Sequence, residues 1–362
     1  MRTQHHVPDT SRRKALKSLM AASLLPLVGT AVARPSPAEA APAVDPAVNI
    51  IVPTCYAPPV EGEDAGRYSW RLAKAVLDFI EDNYAGRKLP IWKRRFEDID
   101  LEKRITNICY WIVEGVREAK DIYPVDPAWV AGQIMAESFF YEFAVSWAFA
   151  VGPCQFISST ASRYDMLCAT DRSAHAHAPY KHPEYAGELA RYYDLRSKWK
   201  RARRLRTKIG GDRGELLRTA LTAARDGKRL DMADKYLRVD DLAQDLYDQM
   251  KEARSRFRTY MQANLEGRDI FNSRDFDFLM NFDQRVVYSK PIPAMVLMLA
   301  RHLRARSGNI IAATAGYNAG LKNTRTSERI YSRYGRLPTF SETVTYVSRV
   351  FINHHEIVSR IS

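Results

Sequence analysis

Asp126-Pro127-Ala128-Trp129-Val130-Ala131-Gly132-Gln133-Ile134-Met135-Ala136-Glu137-Ser138-Phe139-Phe140 is the stretch on which the reading of this chain turns. Asp126 suits an N-cap, because its carboxylate can accept from the free N–H groups of a first helical turn. Pro127 fits that turn, where its missing N–H costs nothing. Val130, Ile134 and Ser138 fall on one stripe at helical spacing, so the stretch predicts a helix that ends near Glu137. That ending sets a carboxyl beside Ile134, Phe140 and Phe143. Gly152 and Pro153 then break regularity ahead of Gln155 and predict a turn leading into a new helix.

The rest of the chain repeats the helical signal. Leu72, Val76, Phe79 and Ile80 recur at helix spacing, as do Ile105, Ile108, Ile112 and Val116. Ala294–Arg304 reads as a helix, Gly316–Gly320 as a turn, and Ser341–Ile361 as a closing helix with Ser341 at its N-cap. Leu242, Leu246, Met250, Ala253, Phe257, Tyr260 and Leu265 hold a long 3-and-4 spacing. Tyr185, Leu189, Tyr192, Trp199 and Leu205 suggest a second long helix, broken at Gly210-Gly211. The simplest partner for each stripe is the other, as an antiparallel pair. No long alternating run appears, so the fold class expected is mainly α with very little strand.

The 362 residues carry a formal charge of +13. Ser11-Arg12-Arg13-Lys14-Ala15-Leu16-Lys17 has the form of a twin-arginine export signal. A modestly apolar stretch follows, from Ser18 to Ala33, too short and too broken by Pro26 and Gly29 to span a bilayer. Cleavage is expected after Ala33 or Ala40, which leads to the periplasm. Removing residues 1–40 takes six basic and two acidic residues from the 55 and 42, leaving a net of +9. Such a surface suits an anionic partner, for which a cell-wall polymer qualifies. Nucleic acid would fit the charge, but export argues against it. Residues 41–68 read as a linker rich in proline and alanine.

Four cysteines, Cys55, Cys109, Cys154 and Cys168, are expected to be free for the most part, with a Cys154–Cys168 bridge the alternative. No cysteine/histidine ligand pattern stands out. His175, His177 and His182 read as a solvated loop, and no metal or cofactor is expected. Lys198–Lys208 holds seven basic residues and no acidic one. It reads either as a solvated helix face or as a contact for anionic wall polymer or a membrane surface.

Offsets from Glu137 add a family resemblance. Glu137-Ser138, Phe140, Ala144, Ser146, Ala150, Gly152, Gln155 and Thr160-Ala161 fall in one register, with Tyr317-Asn318-Ala319-Gly320 downstream and Glu342-Thr343 followed by Tyr346-Val347. Together they resemble the lytic transglycosylases of the soluble (SLT) type, lysozyme-like enzymes that cut the glycan strands of peptidoglycan. The resemblance implies a lysozyme-like catalytic domain in two parts, 69–163 and 283–362, interrupted by a helical basic insertion over 164–282. Phe149, Pro153-Cys154 and Ser158 depart from the family pattern, and Cys154 stands where a methionine commonly lines the sugar site.

The resemblance also implies roles. Glu137 would be the single general acid and base, first protonating the leaving glycosidic oxygen and then taking a proton from the C6 hydroxyl of the same N-acetylmuramic acid ring. Its apolar setting is expected to favour the protonated acid. Ser146 would bind the acetamido region or act only as a turn serine. Gln155 would offer a donor and an acceptor to sugar. Tyr317 would place its hydroxyl near Glu137, with Asn318 fixing the turn around it. Glu342 and Tyr346 would border the cleft, although Glu342 equally suits a role in its own helix turn. Two alternatives remain at this level. One is a goose-type muramidase, which needs a second carboxylate such as Glu142, Asp165 or Glu342 to activate water. The other is a non-catalytic wall-binding or assembly protein.

Overall fold

The computed structural model describes residues 50–55, 65–170 and 180–361. The expected export signal over 1–40, most of the linker over 41–68, and His175 and His177 lie outside these residues. Among the described residues there are eleven α-helices. They are α1 (Ala65–Tyr84), α2 (Leu101–Ala119), α3 (Pro127–Ser138), α4 (Ser158–Ala161), α5 (Glu188–Gly210), α6 (Arg213–Arg225), α7 (Asp231–Leu265), α8 (Ser273–Phe282), α9 (Pro291–Ala305), α10 (Ile310–Ala319) and α11 (Ser341–Val358). Extended pairing among the described residues is confined to single bridges, such as Val145 with Val151 and Val151 with Phe156. The protein is mainly α-helical. No helix of the described residues is long and apolar enough to cross a membrane.

The chain forms two compact units, one of residues up to Cys168 together with Arg268 onward, the other of Ala169–Gly267. Residues 164–168 and 268–282, expected in the insertion, pack with the first unit. The reason is local: Gln284 N–H donates to the Leu167 carbonyl at 2.9 Å, and Leu167 N–H donates to the Gln284 side chain at 3.0 Å. Leu279 and Phe282 of α8 are buried as well.

In the first unit, α1 and α2 bury the stripes read from sequence, with Leu72, Val76, Ile80, Ile105, Ile108 and Ile112 fully shielded. α9 also packs on α2, with Pro293 and Val296 against Gly115. α3 starts as expected, Asp126 Oδ1 accepting from Ala128 N–H at 2.8 Å with Pro127 at the first position. It does not carry a single apolar stripe. All its residues except Ala136 are buried, as befits a helix enclosed on all sides.

α11 crosses α3 at Gly132. A Cβ there would meet the His354 nitrogen at 2.9 Å and the Val350 carbonyl oxygen at 3.1 Å, so only glycine permits this approach. Asn353 Nδ2 donates to the Gly132 carbonyl at 3.0 Å, and His354 Nε2 lies 2.6 Å from Asp126 Oδ2. Two sequence expectations change here. Phe340, not Ser341, is the N-cap of α11, and it contributes no side-chain cap. The expected turn over Gly316–Gly320 is instead the end of α10, which runs to Ala319 and stops at Gly320 with φ +90°.

In the second unit, α5 and α7 pack along their length as an antiparallel pair. Glu188 meets Arg256, Trp199 meets Tyr247, and Arg206 meets Asp240, the numbers rising along one helix as they fall along the other. Leu189, Tyr192, Leu246, Met250, Phe257 and Tyr260 are buried. Leu205 and Leu242, read as parts of the stripes, are exposed instead. α6, which periodicity did not reveal, occupies the segment between them.

Candidate active site

Glu137 is the penultimate residue of α3 and keeps 6 % of its surface exposed. The chain leaves the helix through two consecutive left-handed residues, Phe139 (φ 52°) and Phe140 (φ 61°). Such backbone costs about 1–2 kcal/mol per non-glycine residue, so the surroundings must impose it. They do so at three points. Phe139 N–H caps the Met135 carbonyl at 3.0 Å, Trp92 Nε1 donates to the Phe139 carbonyl at 2.8 Å, and Ser138 Oγ donates to the Pro153 carbonyl at 2.8 Å.

The last of these ties α3 to the loop 144–156. In that loop Ser146 Oγ accepts from Ala150 N–H at 3.0 Å and from Ala148 N–H at 3.3 Å. The turn role is therefore real, and it leaves the hydroxyl proton to donate. Gln155 Nε2 donates to the Ala144 carbonyl at 3.1 Å and the Gly152 carbonyl at 2.9 Å. Its amide nitrogen is committed to the loop, so of the donor and acceptor expected for sugar only the carbonyl oxygen keeps capacity. Phe149 (φ 60°) and Gln155 (φ 49°) add two more left-handed residues.

A buried ion pair missed by the sequence reading holds this loop in place. Arg285 and Asp283 are both fully shielded. Arg285 Nε donates to Asp283 Oδ1 at 2.8 Å and Nη2 to Asp283 Oδ2 at 2.6 Å, a bidentate pair. Nη1 donates to the Phe149 and Phe156 carbonyls, each at 2.9 Å. Gly152 (φ +82°) lies against the same segment, and a Cβ there would fall 1.9 Å from the Arg285 carbonyl oxygen. The sequence signal was present but slight: two opposite charges two residues apart, followed by the apolar Val286 and Val287.

From the far side comes α11. Tyr346, 1 % exposed, donates its hydroxyl to Glu137 Oε1 at 2.7 Å. Glu342 is buried one turn earlier, on the same side of α11 as Tyr346. Tyr317 is buried too, but its hydroxyl donates to the Cys154 carbonyl at 2.6 Å, bracing the loop. Tyr346, expected at the cleft border, thus supplies a phenol bonded to Glu137, and the Tyr317 hydroxyl, expected near Glu137, bonds the backbone of Cys154, whose thiol feels the Glu137 charge. Asn318 Oδ1 accepts from Thr343 Oγ1 at 3.0 Å, so it joins α10 to the first turn of α11.

Two further groups define the electrostatics. The Cys154 thiol is pushed well above its ordinary range by burial, with the Glu137 charge adding to the effect, which marks the two as neighbours. Cys154, Cys109 and Cys168 are buried and free, and no disulfide joins the described cysteines. Glu142 is fully buried, with Arg104 Nε 2.9 Å from its Oε1 and the Tyr288 phenol against the same carboxyl. Burial pushes its carboxyl up, opposed by the Arg104 charge. Asp165 is exposed after a short 3-10 turn. No cluster of three or more metal-binding side chains occurs among the described residues.

Comparison of the chain with protein-family models, with curated proteins and with solved structures finds no match.

Proposed function

We propose that the protein is a peptidoglycan lytic transglycosylase that cleaves the β-1,4 bond between N-acetylmuramic acid and N-acetylglucosamine and leaves 1,6-anhydro ends. The observation that carries this reading is Glu137, a nearly buried carboxyl at a strained helix end, with one oxygen held by Tyr346. A single carboxyl is sufficient for such a reaction. With Oε1 accepting from Tyr346, the acid proton sits on Oε2 and passes to the leaving glycosidic oxygen. The C6 hydroxyl of the same ring attacks C1, and the carboxylate takes its proton, so the group ends in its starting state.

The loop supplies the complementary contacts. Ser146, its acceptor sites spent on the loop, donates to the acetamido carbonyl. Gln155 accepts from a sugar hydroxyl. Glu142 is committed to Arg104 and Asp283 to Arg285, which removes both as water-activating bases and disfavours a muramidase. A hydrolase would have to use Glu342 or Asp165. The second unit would hold the enzyme on anionic wall polymer through the exposed Lys200, Arg201, Arg203 and Arg204 of α5. Export to the periplasm completes the reading.

Digestion of purified sacculi followed by mass spectrometry tests it. Fragments ending in anhydromuramic acid, lighter by one water than hydrolysis products, are expected. Reducing muramic ends as the main product would replace the reading with a muramidase, and loss of that product in Glu342→Gln would name its base. Binding without any cleavage would leave the wall-binding alternative.

A further inference from the structure

We propose that α6 is an interfacial helix that seats the protein on an anionic lipid surface. This inference is independent of the glycan chemistry and rests on the second unit alone. α6 is apolar on more of its circumference than its packing uses. Leu216, Ala220 and Ala223 are half-buried at helical spacing, while Leu217 and Leu221, one turn apart, are 60 % and 62 % exposed. The two exposed leucines line an open groove of about 350 Å³ together with Gly214, Arg218, Thr222 and Arg225. Scattered single leucines are ordinary on a protein surface, but an aligned pair flanked by arginines is not.

The charge around the groove selects the partner. Leu205–Leu230 carries seven basic and three acidic residues, a net of +4. Among the described residues Arg225 is paired with its neighbour Asp226 at 3.0 Å, a weak competitor in water. A second copy of the chain would bring Arg218 and Arg225 against their own counterparts, so self-association is opposed by like charge. An anionic glycan would satisfy the arginines but give the leucines no apolar phase. An anionic bilayer offers both in one material. Leu217 and Leu221 enter the acyl boundary, and the arginine stems lie along it with their guanidinium groups at the phosphates.

The test uses the full chain and vesicles of phosphatidylcholine doped with phosphatidylglycerol, compared with phosphatidylcholine alone. An environment-sensitive fluorophore is attached through Leu221→Cys in a Cys55→Ser background, the other three cysteines being buried. A blue shift is expected on the anionic vesicles only, fading as salt rises. In parallel, Leu217→Ser with Leu221→Ser should lower vesicle partitioning by roughly tenfold or more. Arg218→Gln and Arg225→Gln should lower it about fivefold each. All four side chains are on the surface, and circular dichroism checks that the variants fold. Absence of a blue shift on anionic vesicles at low salt would overturn the proposal. So would a shift that rises with protein concentration without vesicles, which would assign the groove to a second copy. Retention on anionic wall glycan with no response to vesicles would assign the charge to that polymer instead.

Discussion

Replacing Asp283 by asparagine is the most demanding test of how the candidate site is built. The substitution keeps volume and one acceptor but removes the charge facing Arg285. The guanidinium would then be fully buried with no counter-charge, its contacts reduced to neutral acceptors such as the remaining amide oxygen and the Phe149 and Phe156 carbonyls. Breaking a buried ion pair from one side costs about 3–5 kcal/mol. That is a large share of the roughly 5–15 kcal/mol that holds a typical domain folded. Arg285→Met should cost a similar amount, because it leaves the buried Asp283 carboxylate without its counter-charge. Removing both charges in Asp283→Leu with Arg285→Met leaves no buried charge and costs chiefly the bonds received by the Phe149 carbonyl and given by the Arg285 N–H, about 1–3 kcal/mol each, since Val151 N–H still donates to the Phe156 carbonyl. The double variant should therefore lose less than the sum of the singles, by about 2 kcal/mol or more. Urea denaturation followed by circular dichroism measures all three. Single variants costing under about 1 kcal/mol, or effects that simply add, would refute the argument that this pair fastens loop 144–156.

Glu137→Gln should lower glycan cleavage by about 10²–10⁴ or more while binding of glycan fragments survives, measured by product release and by calorimetry. Tyr346→Phe should cost roughly 10–100-fold, the value of one hydrogen bond to a charged group, and more than Tyr317→Phe does through the acid itself. Gly132→Val should force α11 off α3, lowering both stability and activity in the same preparation, whereas Gly86→Ala, with no atom near its Cβ but a φ of +72°, should strain only a surface turn. His302 is buried with its pKa lowered to about 4, chiefly by burial. The unfolded chain binds a proton near pH 6.5 and the native state does not until about pH 4. Stability from this group is thus complete above pH 6.5 and falls by about 3 kcal/mol as pH drops to 4. His302→Gln should show a stability profile lacking that loss, as read by urea titrations across the range.

Much of the local architecture was legible in the sequence. Asp126 and Pro127 marked the start of α3, and the stripes of α1 and α2 are those buried in the fold, because capping and 3.6-residue periodicity depend on neighbours a few positions away. The position of Glu137 at a helix end was legible for the same reason. What periodicity could not supply was partnership across the chain. The phenol bonded to Glu137 Oε1 comes from Tyr346, a separation of 209 residues, and that the Tyr317 hydroxyl bonds the Cys154 carbonyl was likewise visible only in the fold. Glu142 stood in the sequence as an unassigned carboxylate, and only packing paired it with Arg104. Arg285 resembled any basic residue, yet burial with Asp283 made it the fastening of the site loop. In the second unit the amphipathic pattern announced α5 and α7, but not that Leu205 and Leu242 stay in water or that α6 presents two leucines outward. A stripe says that a face needs cover. Which element provides the cover, and which polar groups are trapped beneath it, is decided only when helices distant in sequence pack and each buried charge must find a partner.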